Sequence, residues 1–407
     1  MNKRIFALFC TAFLLASCSD KIPPQDSETT PPASVPETTA PVMEETFVPI
    51  QPAVPGEPVT VTVLQHSDHA QVHTVFLEGE DFRWFRMGED YSVFVTFDYL
   101  TDKEGNRVKE NGINVRTDFQ VHLLDNNSGK ILDTQPLPHG ENTPEHLAYQ
   151  KDGTCVLYRD IPDEEAMMWT LAVTDGKMQM ERIPPVDPLT LTEKIVTSPD
   201  GKWSACRRSE DQNGRGSIVV RDSAGNETVI LQNVMLEDIP DGDIGKVTGY
   251  HVTGFLDSEQ LIYRIVGWEW NKGWGIYNVT TGEKKEFLNG HRVTAIENGV
   301  IYGERSGYGG LDAAFILHPD GTAEELHTPT QYDEALFSTE HFTHGFRGGR
   351  WYLMPYGRES GAPDHLYIFS ADMKTLEAEA VLHDASILRH VVAGENGVTI
   401  VLREKTE

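Results

Sequence analysis

VTSPDGKWSACRR, residues 196 to 208, holds a tight turn between two runs in which apolar and polar residues alternate. Strict alternation is the pattern of a half-buried β-strand, and Asp-Gly supplies the positive φ that such a turn needs. A polar loop, SEDQNGRG, then leads to a second hairpin, SIVVRD-SAGN-ETVILQ. This stretch therefore predicts four strands joined in the order tight turn, longer loop, tight turn.

The same order of strands and turns recurs along the chain. Residues 41 to 57 apart mark the successive first turns, namely Gly153, Gly201, Ser258, Gly299, Gly349 and Gly397. This spacing is typical of the four-stranded blades of a β-propeller. The sequence therefore predicts an all-β propeller with seven blades, and six or eight blades are the alternatives.

The seventh blade is predicted to be shared between the two ends of the domain. HVVAGENGVTIVLREK, near the C-terminus, contains only two strands. VTVTVLQ (59–65) and QVHTVFL (71–77) are strand-like runs without a unit of their own. Together these four strands would complete one blade, close the ring and remove an exposed sheet edge.

The turn in SPDGKWSACRR resembles the Ser-Pro-Asp-Gly turn of TolB-like, WD40-like and dipeptidyl-peptidase-type propellers. The other units keep a weaker form of it, as in KDGTCVLY and LDSEQLIY, and the repeat covers nearly all of residues 59–407. The resemblance implies a fold and no particular activity. The peptidases with this propeller also carry a hydrolase domain with a Gly-x-Ser-x-Gly elbow, and the sequence contains no such elbow.

The N-terminus predicts a lipid anchor. Lys3 and Arg4 precede a short apolar run that ends in LASC, and small residues directly before a cysteine resemble the lipobox of bacterial lipoproteins. The resemblance implies a signal peptide over 1–17, acylation (palmitate or a related chain) of Cys18, and a location on the extracytoplasmic side of a bacterial cell membrane. An ordinary signal peptide cleaved nearby is the alternative. Residues 18–58, rich in Pro, Thr, Ser and Glu, predict a disordered tether.

Charge and cysteine content limit the partners and the chemistry. The chain has 34 basic and 63 acidic residues, a formal net charge of −29 that disfavours nucleic acid. Four cysteines occur, and only Cys155 and Cys206 fall inside the propeller, both in apolar strand patterns. We therefore expect two buried free thiols and a fold that depends on its core.

Loop lengths favour one face of the propeller for binding. First-to-second and third-to-fourth turns are short, whereas second-to-third loops and the connections between blades are long and lie on the opposite face. Three of the seven tryptophans fall in one of these long loops, GWEWNKGWG, and aromatic rings of this kind stack on sugars or on peptide side chains. The candidate ligand-binding residues are Trp268, Trp270, Trp274, Arg215, Arg305, Tyr308, Arg358 and Glu359. The alternative is that the tryptophans pack between blades.

Two segments contain residue types that bind metals. QHSDHAQVH includes His66, Asp68, His69 and His73, which strand alternation would divide between two faces. DIPDGDIG includes Asp238, Asp241 and Asp243, a weak calcium candidate without the twelfth-position ligand of an EF-hand. No metal or cofactor is predicted beyond this calcium candidate, and no residues are singled out as catalytic.

Three functions remain open from the sequence. The first is a lipoprotein that binds a glycan or a protein partner through its long-loop face. The second is a carbohydrate-active enzyme, a hydrolase or a lyase, which needs two carboxylates or a histidine-bound metal facing each other in the central pocket. The third is an envelope-assembly scaffold similar to TolB. The ligand and the oligomeric state are left undetermined.

Overall fold

Hairpin turns form where the sequence tolerates positive φ. Asn298 and Gly299, with φ of 51° and 75°, make a two-residue turn of the kind that matches the twist of paired strands. In the SPDG turn Gly201 has a φ of 71°. The Oγ of Ser198 accepts the N–H of Trp203 at 3.0 Å, which fixes the start of the next strand.

The computed structural model describes residues 46–47, 61–68, 70–110, 112–138, 143–159, 166–210, 216–268, 270–306, 311–332, 342–355, 364–383 and 388–403. Their strands, in chain order, are β1 (Thr46–Phe47), β2 (Val61–Gln65), β3 (Gln71–Leu77), β4 (Asp81–Met87), β5 (Tyr91–Tyr99), β6 (Lys109–Glu110), β7 (Ile113–Asn114), β8 (Arg116–Asp125), β9 (Lys130–Pro136), β10 (His146–Tyr149), β11 (Cys155–Arg159), β12 (Met167–Thr174), β13 (Lys177–Ile183), β14 (Thr192–Thr197), β15 (Trp203–Ser209), β16 (Gly216–Asp222), β17 (Glu227–Gln232), β18 (Gly249–Phe255), β19 (Gln260–Val266), β20 (Asn271–Asn278), β21 (Lys284–Phe287), β22 (Arg292–Glu297), β23 (Val300–Ser306), β24 (Leu311–Leu317), β25 (Ala323–Leu326), β26 (Phe342–Arg347), β27 (Arg350–Pro355), β28 (Asp364–Ser370), β29 (Leu376–Leu382), β30 (Leu388–Ala393) and β31 (Gly397–Arg403). Short 3₁₀ turns cover Pro188–Thr190, Leu236–Asp238, Ile244–Lys246 and Thr330–Tyr332.

The strands form an all-β propeller of seven blades over the described residues. Blades 1 to 6 are antiparallel meanders, β4-β5-β8-β9, β10 to β13, β14 to β17, β18 to β21, β22 to β25 and β26 to β29. The first strand of each blade is innermost, and the small hairpin β6-β7 is inserted in blade 1. Blades 2 and 3 are joined along their inner strands by a single pair, Tyr149 and Thr192.

Hydrophobic clusters close the ring. Six buried clusters each lie between two neighbouring blades of the described chain, and a seventh packs blade 2 against the connection that leads to blade 3. The closing contact joins Val392 and Val401 of blade 7 to Phe94 and Leu124 of blade 1. Because each blade buries both of its faces against neighbours, no single blade could keep its apolar residues from water alone.

The seventh blade differs in detail from the prediction. Strands from both ends of the domain do meet, because β3 pairs with β31 and β31 pairs with β30. However, β2 is not part of this blade: it pairs with β29 and extends blade 6, with β1 beyond it. Within the described residues, blade 7 therefore has three strands, β30, β31 and β3.

Strand direction explains this arrangement. β2 runs antiparallel to β29, and the chain reverses after it, so β3 must run in the direction of β31. A parallel strand cannot be the third member of an ordinary blade meander. The two backbones approach closely where Gly397 faces Gln71, because a Cβ at Gly397 would collide with the carbonyl of Gln71.

Cys155 and Cys206 are free thiols, as predicted, but only Cys155 is buried as expected, and Cys206 is half-buried. The predicted signal peptide, Cys18 and nearly all of the predicted tether lie outside the described residues, but Thr46–Phe47 within that segment pairs with β2. The described residues form no helix long and apolar enough to cross a membrane.

Candidate functional site

Trp268 and Trp270 lie exposed on the long-loop face of blade 4. Their side chains are 53% and 48% exposed. They belong to the short loop between β19 and β20, which closes through a hydrogen bond from the Gly267 N–H to the Trp270 carbonyl at 2.7 Å. A Cβ at Gly267 would lie 3.2 Å from both the Trp270 ring and the Lys272 side chain, so the glycine allows the two to pack over the loop.

Trp274 was grouped with these two residues by sequence, and the structure corrects this. Its side chain is fully buried between blades 4 and 5, with its ring centroid 4.6 Å from that of Phe287. Trp274 belongs to β20, where alternate residues point between the blades, whereas Trp268 and Trp270 precede the strand. The alternative interpretation, packing between blades, is thus right for Trp274 only.

Lys272 holds three segments together beside the exposed tryptophans. Its Nζ donates to Thr248 Oγ1 at 2.8 Å, and its carbonyl accepts the N–H of Gly290 at 3.0 Å. Burial lowers the pKa of Lys272, and the charge of Asp243 opposes that shift. The lysine therefore acts as a structural tie between the loop at 267–270 and the connections on either side of blade 4.

Each of these three segments carries exposed apolar side chains. The exposed large hydrophobic residues of this region, which we name the tryptophan patch, are Ile244, Trp268, Trp270 and Leu288. The described residues contain only three other large apolar side chains that are comparably exposed. A concentration of this kind on one face typically marks an interaction surface.

Of the other predicted contact residues, only Arg305 lies within the described residues. Arg305 is exposed in blade 5, with its guanidinium 5.7 Å from the centre of the Phe315 ring. Arg215, Tyr308, Arg358 and Glu359 lie outside the described residues.

The three aspartates of the calcium candidate form hydrogen bonds or an ion pair within their own segment of the chain. Asp243 Oδ1 accepts the N–H of Gly245 at 2.9 Å, Asp241 pairs with Lys246, and Asp238 Oδ2 accepts the N–H of Met235 at 3.0 Å. Over the part of the chain that the structure describes, no three His, Cys, Asp or Glu side chains are placed to hold a metal ion.

The described residues of the histidine-rich segment do not form a metal site either. His66 follows β2, whereas His73 lies in β3 with its ring against Gly129 of blade 1. Burial and the charge of Lys130 lower the pKa of His73, against the effect of Asp125. His69 lies outside the described residues.

A central cavity of about 520 Å³ is a feature that the sequence analysis missed. The inner strands of blades 1 to 6 and their following turns line it, so it lies toward the short-turn face and not the long-loop face. Pairing registers shift in the inner strands of blades 3, 4 and 5, at Glu193–Lys194, Thr253 and Thr294. Such bulges turn side chains out of the regular alternation, and all three line the cavity. The parallel sequences HVTGF and RVTAI could have signalled two of them.

Glu89 lies at the centre of the charges in this cavity. It pairs with Arg347 of blade 6, while Lys194 Nζ of blade 3 lies 3.7 Å from Oε1 and Arg86 Nη2 lies 3.4 Å from Oε2. Burial alone would raise the pKa of Glu89, but the nearby cations, Arg347 foremost, outweigh it and lower the pKa. Glu89 thus stays ionised and cannot supply a proton as a general acid.

The other two carboxylates that line the cavity also form an ion pair or hydrogen bonds with neighbouring groups of the protein. Glu193 pairs with Arg207, and Glu297 accepts the N–H groups of Gly348 and Gly349 at 2.9 and 2.8 Å. A glycosidase needs one carboxyl group kept protonated and another free to act as base or nucleophile. The described cavity residues therefore lend no support to a carboxylate pair for hydrolysis.

Comparison with known proteins bears on the fold. No protein-family model and no curated protein matches the chain in sequence. Among solved structures, TolB from Acinetobacter baumannii is 10% identical, with a TM-score of 0.36 over 84% of this chain and 99% of that one. The β-propeller domain of the Trilobed protease from Pyrococcus furiosus is 12% identical, with a TM-score of 0.36 over 80% and 79%. An oligogalacturonate lyase in complex with manganese is 13% identical, with a TM-score of 0.39 over 78% of each chain. The β-propeller fold is shown by the strand pairing of this chain, and similarities as low as these assign the chain to no family.

Proposed function

We propose that this chain is a membrane-anchored, extracytoplasmic binding protein whose tryptophan patch engages a protein partner. The observation that carries the proposal is the concentration of exposed Trp268, Trp270, Ile244 and Leu288 around Lys272. Tryptophan is enriched among the residues that dominate binding energy at protein interfaces. Aliphatic neighbours beside the indoles favour an apolar protein surface over a sugar, whose hydroxyls need hydrogen-bonding groups.

The rigid setting of the patch favours binding as well. The loop that holds both tryptophans has only four residues and closes through its own backbone hydrogen bond. Lys272 fixes the two neighbouring connections against it. Side chains held in this way lose little conformational freedom when they meet a partner. The net charge of −29 favours a partner with a basic rim around its contact surface.

The membrane anchor is proposed from the sequence. Acylation of Cys18 after cleavage at LASC would hold the chain on the bilayer, since several acyl chains on one cysteine bind far better than one. Because β1 already pairs with β2 at Thr46, a flexible tether would have the length of residues 18–45, about 30 Å as a coil and at most about 90 Å if extended. The propeller could then reach partners away from the bilayer surface, as an envelope-assembly scaffold must.

The test of the partner is photo-crosslinking in cells. A photoreactive amino acid at position 268 is expected to trap one defined protein, and the Trp270→Ala change in the same chain is expected to weaken that product. The matched control is position 229, because Val229 is also half exposed but lies on β17 of blade 3 and is not one of the four patch residues. Equal products from positions 268 and 229, or none from position 268, would refute the patch as a protein-binding surface. Co-purification of the trapped protein from solubilised membranes would identify a stable assembly.

A glycan is the second candidate, because two half-exposed indoles in one short loop also suit stacking on sugar rings. A glycan array with the native chain, the Trp268→Ala/Trp270→Ala variant and the Val229→Ala control separates the two candidates. Binding lost only in the double variant would establish sugar recognition at the patch, and no binding by any form would leave the protein partner.

The anchor is tested separately with radiolabelled palmitate. The native chain is expected to take up label and to fractionate with membranes, whereas Cys18→Ser is expected to lose the label. Labelling that persists in Cys18→Ser would place the acyl group elsewhere. Absence of label from both forms would favour the ordinary signal peptide.

A further inference from the structure

Three pairs of charged or titratable residues form a belt around one side of the central channel. Each pair joins an inner strand to the second strand of the same blade: Glu193 with Arg207 in blade 3, His251 with Arg264 in blade 4, and Arg292 with Glu304 in blade 5. His251 Nδ1 lies 3.9 Å from Glu193 Oε2, and the charges of Arg207, Arg264 and Arg292 lower the pKa of His251, so the three pairs are neighbours in space. We refer to these six residues as the belt.

Charges are balanced within the belt in blades 3 and 5 but not in blade 4. Arg207 pairs with Glu193, and Arg292 Nη1 lies 3.2 Å from Oε1 of the buried Glu304. Arg264 stands opposite a histidine and has no carboxylate ion-pair partner among the described residues. Burial and the charge of Arg292 lower the pKa of Arg264 to about 10, although Glu304 opposes the shift.

Some buried hydrogen-bond donors in the belt have no acceptor among the described residues. The Nε–H groups of Arg264 and Arg292 are buried and meet no acceptor among the described residues. A buried donor without an acceptor costs about 1–3 kcal/mol, and the cost is higher for a charged group. An oxygen-bearing anion between these two guanidinium groups would satisfy the donors and balance the charge of Arg264 at once.

A small solute can reach the belt through the central channel. The side chains of Arg292 and His251 are 39% and 38% exposed. Glu193 lines the 520 Å³ cavity, and so does Thr294, whose Oγ1 donates to Glu304 Oε2 at 3.0 Å. The belt therefore adjoins the cavity, where the remainder of a ligand would fit.

We propose that Arg264 and Arg292, with His251 beside them, bind the carboxylate or phosphate group of a small ligand held in the central cavity. A guanidinium such as that of Arg264, with no ion-pair carboxylate among the described residues, is unusual in a protein of net charge −29, where acidic residues are plentiful. Guanidinium groups match the geometry of carboxylate and phosphate oxygens. This site is separate from the tryptophan patch, and neither depends on the other.

Thermal unfolding of the full chain at low ionic strength tests the site. The probes are glucuronate for a carboxylate source, inorganic phosphate for a phosphate source, and chloride at matched ionic strength as the reference. Glucuronate or phosphate, or both, is expected to raise the Tm with increasing concentration, beyond the effect of chloride. A response to glucuronate alone identifies a carboxylate ligand, and a response to phosphate alone identifies a phosphate ligand.

Variants tie the response to the belt. Arg264→Gln is expected to weaken the apparent affinity at least about tenfold, without lowering the Tm in the absence of probe, because it removes an unbalanced buried charge. Arg107→Gln is the matched control, since Arg107 is exposed in blade 1 over the Tyr99 ring and outside the belt. If Arg264→Gln folds poorly, Arg264→Lys replaces it, since lysine keeps the positive charge but lacks the two-pronged guanidinium. The apparent affinity of the Arg264→Lys chain for the probe should also fall. No response beyond chloride, or an equal response in the Arg264 variants and the native chain, would overturn the proposal.

Discussion

His122 should make the stability of this propeller depend on pH. Its buried ring lies in β8 of blade 1, where Nε2 and Nδ1 are each 3.0 Å from a hydroxyl, that of Thr96 and that of Thr134. Burial lowers the pKa of His122 from 6.5 to about 4. As the pH falls, the unfolded chain therefore binds a proton before the folded chain does. The contribution to stability is complete above about pH 6.5 and is lost as the pH falls toward about 4.

The size of the effect follows from this shift. At about 1.4 kcal/mol per pKa unit, a change from 6.5 to about 4 corresponds to about 3 kcal/mol in full. Between about pH 7.5 and about pH 4.5, the free energy of unfolding should fall by about 2.5 kcal/mol through this one residue.

Urea unfolding of the native chain and of His122→Gln measures the effect. Glutamine retains hydrogen-bonding groups for the two threonines but does not titrate in this range. His390, whose pKa burial also lowers to about 4, is present in both proteins and cancels in the comparison. The native chain should lose about 2.5 kcal/mol more than the variant between the two pH values. Parallel pH dependence of the two proteins would refute the assignment of His122 as a buried neutral histidine.

Three further outcomes are expected. Trp274→Ala should lower the free energy of unfolding by about 3–5 kcal/mol because it leaves a cavity in the core, whereas Trp268→Ala should change it by less than about 0.5 kcal/mol. Chemical denaturation measures both values. Similar values for the two variants would contradict the assignment of Trp274 to the core and of Trp268 to the surface patch. Glu89→Gln should lower the free energy of unfolding by about 1 kcal/mol at low salt, because Arg347 and two other cations lose their carboxylate partner. The loss should be smaller at high salt, which screens ion pairs. A loss that does not depend on salt in the same assay would contradict an electrostatic role for Glu89. Cys155, whose pKa burial raises to about 12, should react with a thiol reagent only on unfolding, and rapid reaction in the native chain would show that the blade opens.

Much of the fold could be predicted from local patterns. The turn at Asn298–Gly299 and the SPDG turn are where the sequence predicts them, because positive φ at a short polar turn is a property of a few consecutive residues. Alternation then marks which residues of each strand face inward, and the repeated unit yields the count of blades. The same strand patterns predicted the burial of Cys155 correctly, whereas Cys206 is only half-buried.

Candidate site residues were harder to predict than strands. Trp268, Trp270 and Trp274 share one stretch of sequence, yet the two before the strand are exposed and the one within it is buried. That distinction depends on where β20 begins and on which face meets blade 5. The cavity was missed for a related reason, since bulges at Thr253 and Thr294 depend on how two strands pair.

The sequence by itself determined the repeated hairpins, because turn geometry and alternation act between residues that are close along the chain. Only the tertiary structure decided that β2 extends blade 6 and that β3 pairs with β31 in parallel, each across more than 300 residues of sequence. It also decided the surroundings of Arg264: among the described residues this side chain has no ion-pair carboxylate, and the charges of Arg292 and Glu304 act on it from blade 5. Such pairings depend on distance in space, and a one-dimensional pattern does not record it.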